Sequence, residues 1–184
     1  MQEKYPDAEI CVFDSICASG GHGLLIYHAI ENKKKGMSVT ENMQALEELK
    51  HRIVHKFTVD DLTYLQRGGR ISKTAAVIGG MIQLKPVLHV DTEGRLAAES
   101  KVRGRKKALN QLLAEMDICT GSYADKQDVV LICHADCPED AEYVRAKVEE
   151  KYHPNKIIMS EVGPIVGAHV GPGTMVLIFE GDKR

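Results

Sequence analysis

The 184-residue chain is 43% apolar and carries 24 basic against 26 acidic side chains, for a net charge of −2. That composition supports a buried core and excludes wholesale disorder. The charge balance excludes a general affinity for polyanions, so nucleic acid is not an expected partner.

Taken in chain order, residues 9–13 (EICVF) form a short apolar run that predicts a buried strand, followed by the small-residue loop CASGGHG. Residues 24–35 predict a helix with Leu24, Ile26, Tyr27 and Ile30 apolar and Gly36 as its stop. Ser38 and Glu41 have the spacing of a capping box, opening a second helix through Met43, Leu46 and Leu49. A strand over 53–59 follows, then a short helix over 60–65 with acidic residues at its positive end, broken by QRGGR. Ser72 is placed to cap a small-residue helix over 73–82. Residues 84–90 and 95–100 predict a strand pair turning at 91–94, and 105–116 a helix with Ala108, Leu109, Leu112, Leu113 and Met116 on one face. Strand 128–133, helix 138–152 with Pro138 in its first turn, strand 157–159 and strand 174–180 complete the chain. The alternation predicts an α/β protein, a layered mixed sheet with helices on its faces. The opening strand and two helices stand apart from this pattern, because a lone strand cannot make a stable sheet. Either that strand joins the later sheet, or the chain starts partway through a larger first domain.

Most short motifs lack the context their chemistry needs. GGHG (20–23), GPG (171–173) and GGRISK (68–73) match neither a strand–GxGxxG–helix fingerprint nor a P-loop. His51 and His55 have i, i+4 spacing without an intervening acid, which favours solvated surface over a metal site. The five cysteines include no CxxC pair; that argues against a disulfide framework and for a reducing, cytoplasmic setting. Cys133, His134, Asp136 and Cys137 fit no zinc knuckle, so no metal is expected. No apolar run reaches the roughly 18 residues of a membrane span, and the stretch MQEKYPDAE lacks the basic start and apolar core expected of a signal peptide.

Two basic stretches carry more weight. Arg67 and Arg70 flank a glycine hinge, and KVRGRKK (101–107) puts cations at a helix start, where the dipole opposes them. An anionic ligand or acidic partner would use such arginines, although a solvated charge run accounts for the lysines equally well. In VGPIVGAHVGPGT (162–174), Pro164 suits the first turn of a short helix and Gly171 its C-cap, leaving His169 in the last turn. On these grounds alone His169 reads more readily as a satisfied structural residue than as a ligand-binding one.

Five ordered stretches, VFDSICASGGHGLL, FTVDDLTYLQRGGRIS, LKPVLHVDTEGRL, KVRGRKKAL and VGPIVGAHVGPGT, together resemble the DegV family of bacterial fatty-acid-binding proteins. The resemblance implies a cytoplasmic, non-enzymatic protein without cofactor. Such a protein holds a long-chain fatty acid and presents its carboxylate to a partner ATP-dependent fatty-acid kinase for acyl-phosphate formation, with peripheral membrane contact during lipid exchange. It implies that His169 hydrogen-bonds the carboxylate with Arg67 and Arg70 nearby, and that Arg103 contacts the partner. The segment KTAAVIGGMIQLKPVL is a candidate lining for the acyl tail, with Ile78, Met81, Ile82 and Leu84 as candidate residues, although ordinary core packing accounts for it as well. Nothing here matches the family's N-terminal Thr-Ser and SGT stretches, so residues 1–55 are expected to be a remnant of an N-terminal α/β domain and 56–184 the lipid-binding domain. An alternative is a small-molecule enzyme acting on a carboxylated or phosphorylated metabolite through His169, Arg67, Arg70 and Arg103.

Overall fold

The computed structural model describes residues 3–72 and 84–184. The expected helix over 73–82, and with it Ile78, Met81 and Ile82, lies outside the described residues. In chain order the elements are α1 (Gly20–Lys34), α2 (Val39–Leu49), β1 (Ile53–Thr58), α3 (Leu62–Arg67), β2 (Leu84–Val90), β3 (Leu96–Arg103), α4 (Arg105–Thr120), β4 (Val129–His134), α5 (Pro138–Tyr152), β5 (Lys156–Glu161), α6 (Pro164–Val170) and β6 (Met175–Glu180). The strands form one mixed sheet in the order β3-β2-β1-β6-β4-β5, with β4 and β5 parallel and every other pair antiparallel. The expected division at residues 55/56 falls inside β1.

Central β1 is buried along its whole length, and alternation sends its side chains to two different cores. Val54 faces α4 and α5, packing with Leu112, Met116, Val144 and Phe179. Ile53 faces α1 and α2, among Leu24, Leu25, Leu46 and Leu49. Phe57, four residues on, joins Leu62, Leu65, Leu88 and Val170 under α3 and α6. Helices therefore cover both faces of the sheet, the arrangement its apolar strands require.

Local signals explain most boundaries. Ser38 Oγ accepts from the Glu41 N–H while Glu41 takes the Ser38 N–H at 2.8 Å, a closed capping box. Two expectations need correction. Residues 9–13 form no strand, and Val12 is 94% exposed, because no strand of the sheet pairs with them. Helix α1 starts at Gly20 rather than 24 and buries Leu24 and Leu25, leaving Ile26 and Ile30 about half exposed. Its glycines allow a close approach at the helix start: a Cβ on Gly20 would stand 2.2 Å from Leu131 Cδ2, and one on Gly21 would stand 1.9 Å from His55 Nε2. GGHG is thus a packing device that lays the helix start on the sheet.

Candidate functional site

Helix α3 is capped by Asp61, whose carboxylate accepts from the Thr63 N–H and hydroxyl at 2.8 and 2.6 Å. Those bonds hold the Asp61 carboxyl below its usual range. The helix ends at Arg67, and the Gly68, Gly69 and Arg70 N–H groups close back onto Tyr64, Gln66 and Leu65 carbonyls. Gly69 carries a φ of +70°, which glycine adopts without strain. Arg70 Nη1 donates to the Gly68 carbonyl, which folds its guanidinium over the loop.

Helix α6 begins with Pro164 and ends at Gly171, whose φ is +77°. It interlocks with α3 at two points. A Cβ on Gly171 would stand 2.5 Å from the Tyr64 ring, and one on Gly68 would stand 2.2 Å from His169 Nδ1. Half-buried His169 therefore rests directly on the glycine between Arg67 and Arg70, both of which are exposed. Two short helices thus bring His169 against a loop about a hundred residues earlier in the sequence.

Arg103 lies exposed at the end of β3, paired in register with Leu84 at the start of β2. Arg105, one step into α4, ties this corner together: its Nε donates to Asp140 at 2.7 Å, and its Nη1 lies 3.4 Å from Asp60. Asp60 also pairs with Lys85 at 2.8 Å and sits where a Cβ on Gly173 would be 2.6 Å away. The unfavourable cation at the start of α4 is thus answered by two carboxylates. Asp60 joins the start of α3, the KVRG corner and the GPG turn, a role its sequence context did not signal.

Two hollows adjoin these helices. A cleft of about 600 Å³ is lined by Leu62, Arg70, Ile71, Leu88 and Leu96, among others. An apolar crevice of about 60 Å³ lies between α6 and the sheet, lined by Phe57, Val90, Leu96, Val166, Val170 and Val176, with Ala18, Ser19, His55, Val162 and Thr174 completing it. Leu96 lines both, while Leu84 lines neither. The spacing of Val162, Val166 and Val170 was the available sequence signal for this apolar stripe.

His55 is a clear departure from expectation. It is 1% exposed rather than solvated, because β1 runs through the middle of the sheet. Burial drives its pKa down to about 3, reinforced by the Arg184 guanidinium, so the ring is neutral. The same holds for two thiols of the CHADC stretch: burial pushes Cys133 up to about 11 and raises Cys137 despite nearby Arg105. Among the described residues, no three His, Cys, Asp or Glu side chains are grouped to hold a metal, and no helix is long and apolar enough to cross a membrane.

Comparison with known proteins bears on this arrangement. A DegV domain-containing protein of Clostridium perfringens is 42% identical over 184 residues, all of this chain and 62% of that protein. The crystal structure of DegV from Bacillus subtilis, described as a fatty acid binding protein, is 31% identical with a TM-score of 0.79, covering 95% of this chain and 61% of that one. The Fak B3 protein of Streptococcus pneumoniae fatty acid kinase, solved loaded with linoleic acid, is 21% identical with a TM-score of 0.89, covering 98% and 63%, a likeness of fold. The chain thus spans somewhat under two thirds of the relatives it matches. The family model described as "Uncharacterised protein, DegV family" matches residues 1–182, and with the Clostridium relative it establishes that this chain belongs to the DegV family.

Proposed function

We propose that the chain binds a long-chain fatty acid, with His169, Arg67 and Arg70 around the carboxylate and the acyl tail against the apolar surface of α6 and the sheet. One observation carries this reading: His169 rests on Gly68, between the two arginines, while Val166 and Val170 of the same helix line an apolar crevice. A carboxylate drawn out of water needs such partners, since leaving it bare is very costly. The tail then supplies most of the affinity, roughly 0.8 kcal/mol per buried methylene. The fatty-acid-binding Bacillus subtilis relative supports the ligand class.

On this reading the protein is a binding subunit and not an enzyme, and it needs no cofactor. Exposed Arg103 is available to a partner kinase that would phosphorylate the presented carboxylate; the Fak B3 neighbour, part of a fatty acid kinase, motivates that assignment. The protein would work in the cytoplasm and touch membranes only peripherally, during lipid exchange. Native mass spectrometry of the chain incubated with palmitate tests the core of the proposal. A one-to-one complex is expected, and a chain that remains ligand-free at saturating palmitate rejects it.

A further inference from the structure

The two edges of the sheet are built differently. Strand β3 carries Glu99, Lys101 and Arg103, and its register against β2 shifts beside Glu99, where Val87 pairs with Ser100 and Leu88 with Ala98. Charges and a bulge are what keep an edge strand from pairing with another chain. Strand β5 (KIIMSE) has neither in its middle: it follows β4 in unbroken register, and its charges stand only at the two ends. One of those, Lys156, is drawn onto its own molecule, with Nζ 5.0 Å from the centre of the Tyr27 ring. Met159 is exposed, Ile157 and Ile158 are only half-buried, and among the described residues β4 is the one strand beside β5.

The backbone shows which groups of β5 face outward. Lys156 N–H donates to the Asp128 carbonyl at 2.9 Å, and Val162 N–H to the His134 carbonyl at 2.8 Å. In a parallel pair, residues two apart point their N–H and C=O groups the same way, so Ile157, Met159 and Glu161 turn theirs to the open edge. Ser160 Oγ donates to one of these, the Glu161 carbonyl, at 3.3 Å. An antiparallel copy of the same strand fits this edge in one register. Centred on Ile158, the pairing sets Ile158 against its own copy and Ile157 against Met159 twice, the latter as hydrogen-bonded pairs through the outward groups; Lys156 meets Ser160. Centred on Met159 it would set Glu161 against Ile157, and centred on Ile157 it would set Lys156 against Ile158, each a charge beside an isoleucine. From this self-complementarity we infer that β5 is an interaction surface for a second copy of this chain, the two sheets joining edge to edge in a two-fold dimer. The inference is independent of the fatty-acid reading.

Sedimentation velocity of the unmodified chain between about 10 μM and about 1 mM tests it. One strand pair is a small contact, so the dimer is expected to be weak, half-formed on the order of 100 μM. Met159→Pro removes an N–H that faces the open edge and none that bonds β4, and should weaken the dimer at least about tenfold. A chain that stays monomeric at about 1 mM overturns the inference, and the edge would then be open to a strand of other origin. A dimer undiminished in Met159→Pro overturns it too, since the copies would then meet elsewhere. Should Met159→Pro not fold, amide hydrogen exchange in the unmodified chain decides. Protection at Ile157 and Met159 must rise with concentration while Ile158, bonded to β4, stays as it was; a dimer without that gain contradicts the assignment.

Discussion

His55 and Lys56 are neighbours on β1, both almost fully buried, yet they face opposite sides of the sheet and are treated oppositely. Lys56 is ion-paired beneath α4, with its Nζ 2.7 Å from Glu99 and 3.8 Å from Glu115. Its face is closed, and Leu109, Leu112 and Met116 pack over it. His55 has shed its charge, accepts the Ala18 N–H on Nε2, and is among the residues that line a crevice. The comparison shows two ways of burying a basic residue. A charge needs opposite charge around it and so belongs to a permanently packed face. A neutral ring needs no opposite charge, and it sits on the face where α3 and α6 leave space.

The comparison can be broken first at Lys56. Lys56→Ala strands Glu115, itself largely buried, and should cost about 3–5 kcal/mol in urea unfolding. Removing the whole network at once, with Lys56→Met, Glu99→Gln and Glu115→Gln, should recover much of that loss. A Lys56→Ala cost below about 1 kcal/mol would mean that the pair is no more than a surface-type bridge.

On the other face the handle is acid. The folded pKa of His55, about 3, lies well below the ordinary histidine value near 6.5 expected on unfolding. The unfolded chain therefore takes up the proton first as pH falls. Stability is independent of His55 above about pH 6.5, then declines by about 1.4 kcal/mol per pH unit until about pH 3. The difference between the unmodified chain and His55→Phe isolates this contribution from the carboxylates that titrate nearby in pH; equal slopes would mean the buried ring does not stay neutral.

A smaller effect is expected where the two short helices meet. Gly68 has an ordinary helical φ of −73°, so alanine there brings no backbone strain, only a methyl group against His169. Gly68→Ala should lower palmitate affinity about tenfold, about 1.4 kcal/mol, with little change in unfolding free energy. Full affinity in this variant would show that the imidazole need not rest on the glycine hinge.

The two regions were unequally legible in the sequence. Elements with strong local signals stood out: the Ser38–Glu41 box, Pro138 opening α5, and Pro164 and Gly171 bracketing α6. Residues 9–13 have strand-like chemistry, but pairing is a property of a neighbour that local pattern cannot report. His55 was misread for a related reason, since spacing to His51 says nothing about whether the strand carrying it is central or at an edge. The approach of His169 to the RGGR hinge spans about a hundred residues, and only the family resemblance linked them before the fold did. Asp60 read only as an acid at a helix start, and nothing signalled that it gathers Lys85, Arg105 and Gly173, because those partners come from three separate parts of the chain.

The central claim, that His169 seats a fatty-acid carboxylate against the arginine hinge, is tested most directly by comparing palmitate with palmityl alcohol in the unmodified chain and in His169→Ala. The account expects the unmodified chain to prefer the acid by about tenfold or more, and His169→Ala to lose most of that preference while its affinity for the alcohol is unchanged. An undiminished preference for the acid in His169→Ala would contradict it.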